Sequence, residues 1–183
     1  PNFTILQQFI NVVSMKFKDL SITFHTNKVK ECIDFHTEYF KAMSAFEKSG
    51  MPSVADDSGL MIDALDGRPG VYSARYAGEN ATDEDRYNKV LEEMKDVPED
   101  KRTARFVSSI CCILEDGTVI TAEGYSEGKI AYEPHGTEGF GYDPIFITDS
   151  GKSFAELTSE EKDAISHRGN ALRILREKLL KYI

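Results

Sequence analysis

The chain has 183 residues, of which 31 are acidic and 22 basic, giving a formal net charge of -9, and 40% are hydrophobic. That length suits one domain, or one domain with a lobed sheet, and the apolar content is too high for a disordered chain. A duplex-binding domain usually carries a basic face, which an acidic balance disfavours, so nucleic-acid polymer is not an expected partner, although a polyanion can still be held locally through a metal and a few lysines.

The opening "PNFTILQQFI" lacks the basic region of a signal peptide. No apolar run is long enough to span a bilayer. A cytoplasmic protein without a membrane partner is expected. Ile5, Leu6, Phe9 and Ile10 lie at helical spacing, and residues 11–15, "NVVSM", read as a short strand. Residues 34–48 fit a second helix with Phe35, Tyr39, Ala42, Met43 and Phe46 on one face; Gly50 and Pro52 end it as a glycine cap followed by proline. Residues 53–55, "SVA", predict a short strand closed by a turn at "DDSG".

Residues 66–80 form a loop rich in Gly and turn residues. Thr82, followed by three acids, predicts a helix N-terminus, with Tyr87, Val90, Leu91, Met94 and Val97 as the apolar stripe. Residues 103–114 read as a long strand, "EDG" at 115–117 as its turn and residues 118–128 as the return, a hairpin. Cys111 and Cys112 would point to opposite faces of that strand. With Cys32 they make an odd count without zinc spacing, so they read as small apolar residues in a reducing compartment. "KIAYEP" (129–134) predicts a third strand, and residues 135–146, "HGTEGFGYDPIF", a Gly-rich loop entering another. Thr158 with Glu161 is a capping-box pattern for a helix over 159–168, broken at Gly169 and resumed in "NALRILREKLLKYI". Helices interleaved with strands, plus one long hairpin, point to an α/β or α+β mixed sheet in a single domain, residues 1–183.

Three stretches bear on chemistry. In "VADDSGL" (54–60) the adjacent Asp56 and Asp57 diverge, because side chains alternate along a strand. They fit either an Asx-type turn or a hard-cation ligand paired with a water-activating carboxylate. In "GFGYDP" (139–144) two glycines permit close backbone approach, while Phe140 and Tyr142 offer flat faces for a planar ligand or a seal for the core. In "EKDAISHRGNAL" (161–172) Lys162 and Ser166 share a helix face, and His167 and Arg168 follow. Lys and Arg hold phosphate, and Ser and His can bond a base edge; a solvated helix end accounts for the same residues. Lys41 on the earlier helix is a further candidate.

In order, "VADDSGLMIDALDGRPGVYSARYAG", "GFGYDPIF" and "FAELTSEEKDAISHRGNAL" closely resemble the inosine triphosphate pyrophosphatase family over residues 38–180. The resemblance implies an α/β fold with a mixed, elongated sheet in two lobes, flanking helices and a central nucleotide cleft. It implies magnesium-dependent hydrolysis of ITP, dITP and XTP to the monophosphate and pyrophosphate, clearing deaminated purines from the nucleotide pool, by a homodimer. It implies Asp57 as general base and metal ligand, Asp56 beside it near the metal, and Ser58 in the same turn. Lys41 is implied as a phosphate contact and Phe140 as a base-stacking ring. Asp143 would lie at the base pocket, with Lys162, His167 and Arg168 at nucleotide-contacting positions, the last two near the purine edge.

Two departures accompany the resemblance. The family opens with a strand and a phosphate-binding turn, whereas the opening of this chain matches the following helix, so the domain is expected to lack both. Around "KVKECIDFHTEYFKA" Thr37 and Glu38 stand where Asn and Ala are usual, and Glu31 is the nearest candidate for the second metal carboxylate. These departures keep open the alternative of a catalytically impaired nucleotide-binding protein of the same fold.

Overall fold

The computed structural model describes residues 35–182. The helix and strand expected at residues 4–15, and Glu31, lie outside the described residues. In chain order the regular elements are α1 (Phe35–Ser49), β1 (Ser53–Ile62), α2 (Asp83–Glu93), β2 (Thr103–Ile113), β3 (Val119–Ile130), β4 (Phe146–Ile147), α3 (Ser159–Ile165) and α4 (His167–Leu179), with short 3-10 turns between several of them. The strands form one sheet in the order β1-β2-β3-β4. β4 pairs antiparallel with the end of β3, placing Ile130 opposite Phe146. No helix among the described residues is long and apolar enough to cross a membrane.

The local signals operate as their chemistry requires. Gly50 closes α1 with a φ of 67° and donates to the Phe46 carbonyl at 2.8 Å. Thr82 and Asp85 form a reciprocal capping box at the start of α2. The β2–β3 hairpin turns on Gly117, whose φ of 82° a side chain would strain, and Leu114 N–H donates to the Thr118 carbonyl. Thr158 and Glu161 exchange bonds at the start of α3.

The chain divides into two compact units, one comprising the stretch up to Ser58 with Ser108–Tyr125 and the chain from Asp163, the other Gly59–Val107 and Ser126–Lys162. In the first unit, sheet alternation splits two adjacent cysteines between two cores. Cys112 joins Val54, Ile110 and Ile120 against Ala171, Leu172 and Leu175 of α4. Cys111 joins Ala55 and Ile113 against Ala42, with Tyr39, Met43 and Phe46 of α1 packed alongside. Helix α4 approaches β3 closely: a Cβ on Gly124 would strike the backbone of His167 and Ala171. In the second unit, Leu60, Ile62, Val90, Met94, Phe106, Ile130, Tyr142 and Phe154 share one core. Phe106, Phe146 and Phe154 meet there with ring centroids 4.7 to 5.6 Å apart.

Three boundaries differ from expectation. First, "DDSG" is not a turn: β1 runs unbroken from Ser53 to Ile62. Apolar residues at both ends enter cores, Val54 and Ala55 in one unit and Leu60 and Ile62 in the other, and this holds the intervening acids extended. Second, residues 129–134 are not a separate strand. Lys129 and Ile130 complete β3, after which Ala131 N–H bonds the Ile145 carbonyl. Third, the break before the terminal helix falls at Ser166, not Gly169. The Ser166 hydroxyl accepts from the Gly169 N–H as the N-cap of α4. Lys162 and Ser166 therefore do not share a helix.

Candidate active site

The residues singled out by sequence fall into two groups, one in each unit. In the first unit, Glu38 and Lys41 sit one turn apart on α1, a spacing that brings side chains together. The Lys41 ammonium lies 2.9 Å from Glu38 Oε1 and 3.8 Å from Asp57 Oδ2. Strand alternation explains the rest. Asp57 faces Lys41, while Asp56 and Ser58 project from the other side of β1 toward Arg168 in the first turn of α4. Arg168 Nε donates to Asp56 Oδ2 at 2.7 Å, and its NH2 reaches Ser58 Oγ at 3.5 Å, the outer limit of a bond. His167, largely buried, opens the same helix.

Glu38 is the residue that motif reading missed. Its side chain is 1% exposed, and among the described residues Oε2 has no hydrogen-bond partner. Burial pushes its carboxyl up to about 7; Lys41 opposes the shift, and the charges of Asp57 and Asp56 add to it. The signal that could have revealed it is its spacing of three from Lys41. Among the described residues no three His, Cys, Asp or Glu side chains gather as a metal cage.

In the second unit, the Gly-rich loop presents a ring. Gly139 and Gly141 adopt φ of 81° and 63°, and the Phe140 between them is 64% exposed. A Cβ at Gly139 would collide with the Asp143 carboxylate, so that position admits only glycine. Asp143 is buried: its Oδ2 accepts from Phe140 N–H at 2.8 Å and from the Lys162 ammonium. Burial raises the Asp143 carboxyl, with Lys162 and the Phe140 amide pulling the other way. The Lys162 ammonium also lies over the Phe140 ring, 4.8 Å from its centroid, a favourable cation–π arrangement. Tyr142 anchors the loop inward by donating to the Ser73 carbonyl at 2.8 Å.

Each group has a chemical character of its own. The first combines an ammonium, a guanidinium and three carboxylates, a set suited to phosphate oxygens and a hard cation. The second offers an aromatic face backed by a cation, a set suited to a planar ring.

Comparison with known proteins agrees with these characters. The chain is 54% identical over 146 residues to the dITP/XTP pyrophosphatase of Shigella flexneri, a match covering 76% of this chain and 72% of that protein. It is 53% identical, with the same coverage, to the dITP/XTP pyrophosphatase of Escherichia coli strain K12. Among solved structures, a HAM1 protein from Coxiella burnetii superposes with a TM-score of 0.80 at 39% identity, covering 96% of this chain and 94% of that one. The nucleoside-triphosphatase/dITP/XTP pyrophosphatase of Mycobacterium abscessus superposes at 0.76 and 37% identity, covering 93% and 92%. The Ham1 family model matches residues 5–178, and the chain belongs to that family.

Proposed function

We propose that this protein hydrolyses noncanonical purine nucleoside triphosphates, ITP, dITP and XTP, to the monophosphate and pyrophosphate. The observation that carries the reading is the convergence of Glu38 and Asp57 on the Lys41 ammonium, in a chain 54% identical to a dITP/XTP pyrophosphatase.

Magnesium fits the first group. It is commonly held by one or two carboxylates together with substrate phosphates, and Glu38 Oε2 is a buried acceptor without a partner among the described residues. Asp57 and Glu38 would hold it, and Asp56 is engaged by Arg168. When bound, magnesium neutralises charge on the triphosphate oxygens. The protein's own residues do the remaining work. Asp57 accepts a proton from water as the water oxygen bonds to the α-phosphorus. The bond from that phosphorus to the bridging oxygen breaks, and pyrophosphate carries away the electron pair. Lys41 holds phosphoryl oxygens and opposes their developing charge, while Arg168, on the opposite side of β1, contacts the nucleotide beside His167. Phe140 stacks on the purine, with Lys162 behind the ring and Asp143 setting the loop. His167 reads the base edge. A donor aimed at the purine 6-oxo group would be left unpaired by adenine, and such a loss underlies discrimination.

Pyrophosphate release from ITP, dITP, XTP and ATP tests the reading. The first three are expected to turn over far faster than ATP, chelation should abolish turnover, and added magnesium should restore it. Asp57→Asn should lower kcat by at least about 100-fold, the scale of a lost general base. Nucleotide binding with no turnover at saturating magnesium would leave only the nucleotide-binding alternative. A homodimer in the cytoplasm completes the proposal, and sedimentation equilibrium of the purified chain checks the dimer.

A further inference from the structure

The tip of the Gly-rich loop is tied to a residue that none of the three motifs contains. Asp83 is the first residue of α2. Its Oδ2 accepts from the Gly141 N–H at 2.7 Å, across 58 residues of chain. Its Oδ1 is paired with the Arg86 guanidinium one turn on, and Arg86 NH2 donates to the Ala81 carbonyl at 2.7 Å, just ahead of the helix. The carboxylate is thus held from one side while it holds the loop on the other.

The other bonds of the loop close it on itself or tie its far side. Asp143 closes the loop on itself through Phe140 N–H, and its own N–H returns to the Phe140 carbonyl at 3.2 Å. Tyr142 ties the far side to Ser73. Phe140 stands between two left-handed glycines, whose backbones rotate more freely than those of other residues. The amide immediately after Phe140 is the one that Asp83 takes.

We propose that Asp83 is a positioning residue: through the Gly141 N–H it fixes the backbone that aims the Phe140 ring at its planar ligand. This rests on the assignment of Phe140 as the purine-stacking residue. Asp83 touches no substrate and acts only through the loop.

Steady-state kinetics on XTP and hydrogen exchange of a peptide covering residues 139–143 test it together. Asp83→Ala should raise KM about tenfold, the scale of one charge-assisted hydrogen bond, with kcat within about twofold. Exchange in that peptide should accelerate while a β2 peptide is unchanged. Asp83→Asn, which keeps an acceptor oxygen, should recover most of both losses. Thr82→Ala separates loop from helix: it removes the cap of α2 and should leave KM unchanged. If KM for Asp83→Ala equals that of the native protein, or if Thr82→Ala raises it equally, the role is overturned. A native protein that turns over no triphosphate would refute the proposed function instead, and the exchange measurement would still decide whether Asp83 holds the loop.

Discussion

Buried among opposing charges, Glu38 titrates where most carboxyls do not. Its folded value of about 7 lies above the ordinary 4.5. A raised carboxyl favours the protonated folded state, so its stabilising contribution is complete below pH 4.5 and is lost as pH rises through 7. At about 1.4 kcal/mol per unit the swing approaches ~3.5 kcal/mol. In chelator, the stability difference between the native protein and Glu38→Gln should therefore shift in favour of the variant between pH 4.5 and 8. Urea unfolding at both ends measures it; a difference independent of pH means burial does not perturb this group. Lys41 and Asp57 could be picked from the sequence as single candidates. Glu38 offered only its spacing of three from Lys41; what marks it out is an oxygen shut away from water, and burial belongs to the folded chain.

At the scale of elements, Arg102 joins the end of α2 to the end of β3 within one unit. It is 1% exposed, yet among the described residues no carboxylate pairs with it. Nε donates to the Ile130 carbonyl, NH1 to those of Met94 and Val97, and NH2 to that of Ala131. The Tyr132 ring covers it at 4.1 Å. Four main-chain dipoles thus stand in for a counter-ion, and burial lowers the guanidinium pKa. Arg102→Met would strand those carbonyls, and Arg102→Lys could not span them. Each should cost about 3 kcal/mol or more in chemical denaturation, and a loss below about 1 kcal/mol would show that water replaces the fork. The same scale explains the misread boundaries. Thr82, Thr158 and Gly50 act through neighbours within a few residues, so their helices were legible. The path of β1 through "DDSG" depends on cores at both ends of the strand, and the break at Ser166 on a cap competing with a nearby glycine.

For the molecule as a whole, the described cysteines report on the packing of one unit. Burial pushes both thiols, Cys111 and Cys112, up to about 12, and each lies in a separate core on either side of the sheet. Thiolate is the reactive form, so neither should be alkylated by iodoacetamide at pH 8 until urea opens the unit. Peptide mapping should then show both modified together; rapid labelling of either in the native protein would contradict the packing. The order of three long motifs determined family membership, and short-range chemistry determined the hairpin and most helix ends, because those signals act between neighbours in the chain. Tertiary structure decided which charges meet. Arg168 reaches Asp56 across 112 residues, and Lys41 shares its ammonium between Glu38 and Asp57. Such pairings arise only when strand alternation and helix packing set the direction of each side chain, and the sequence carries the residues without their directions.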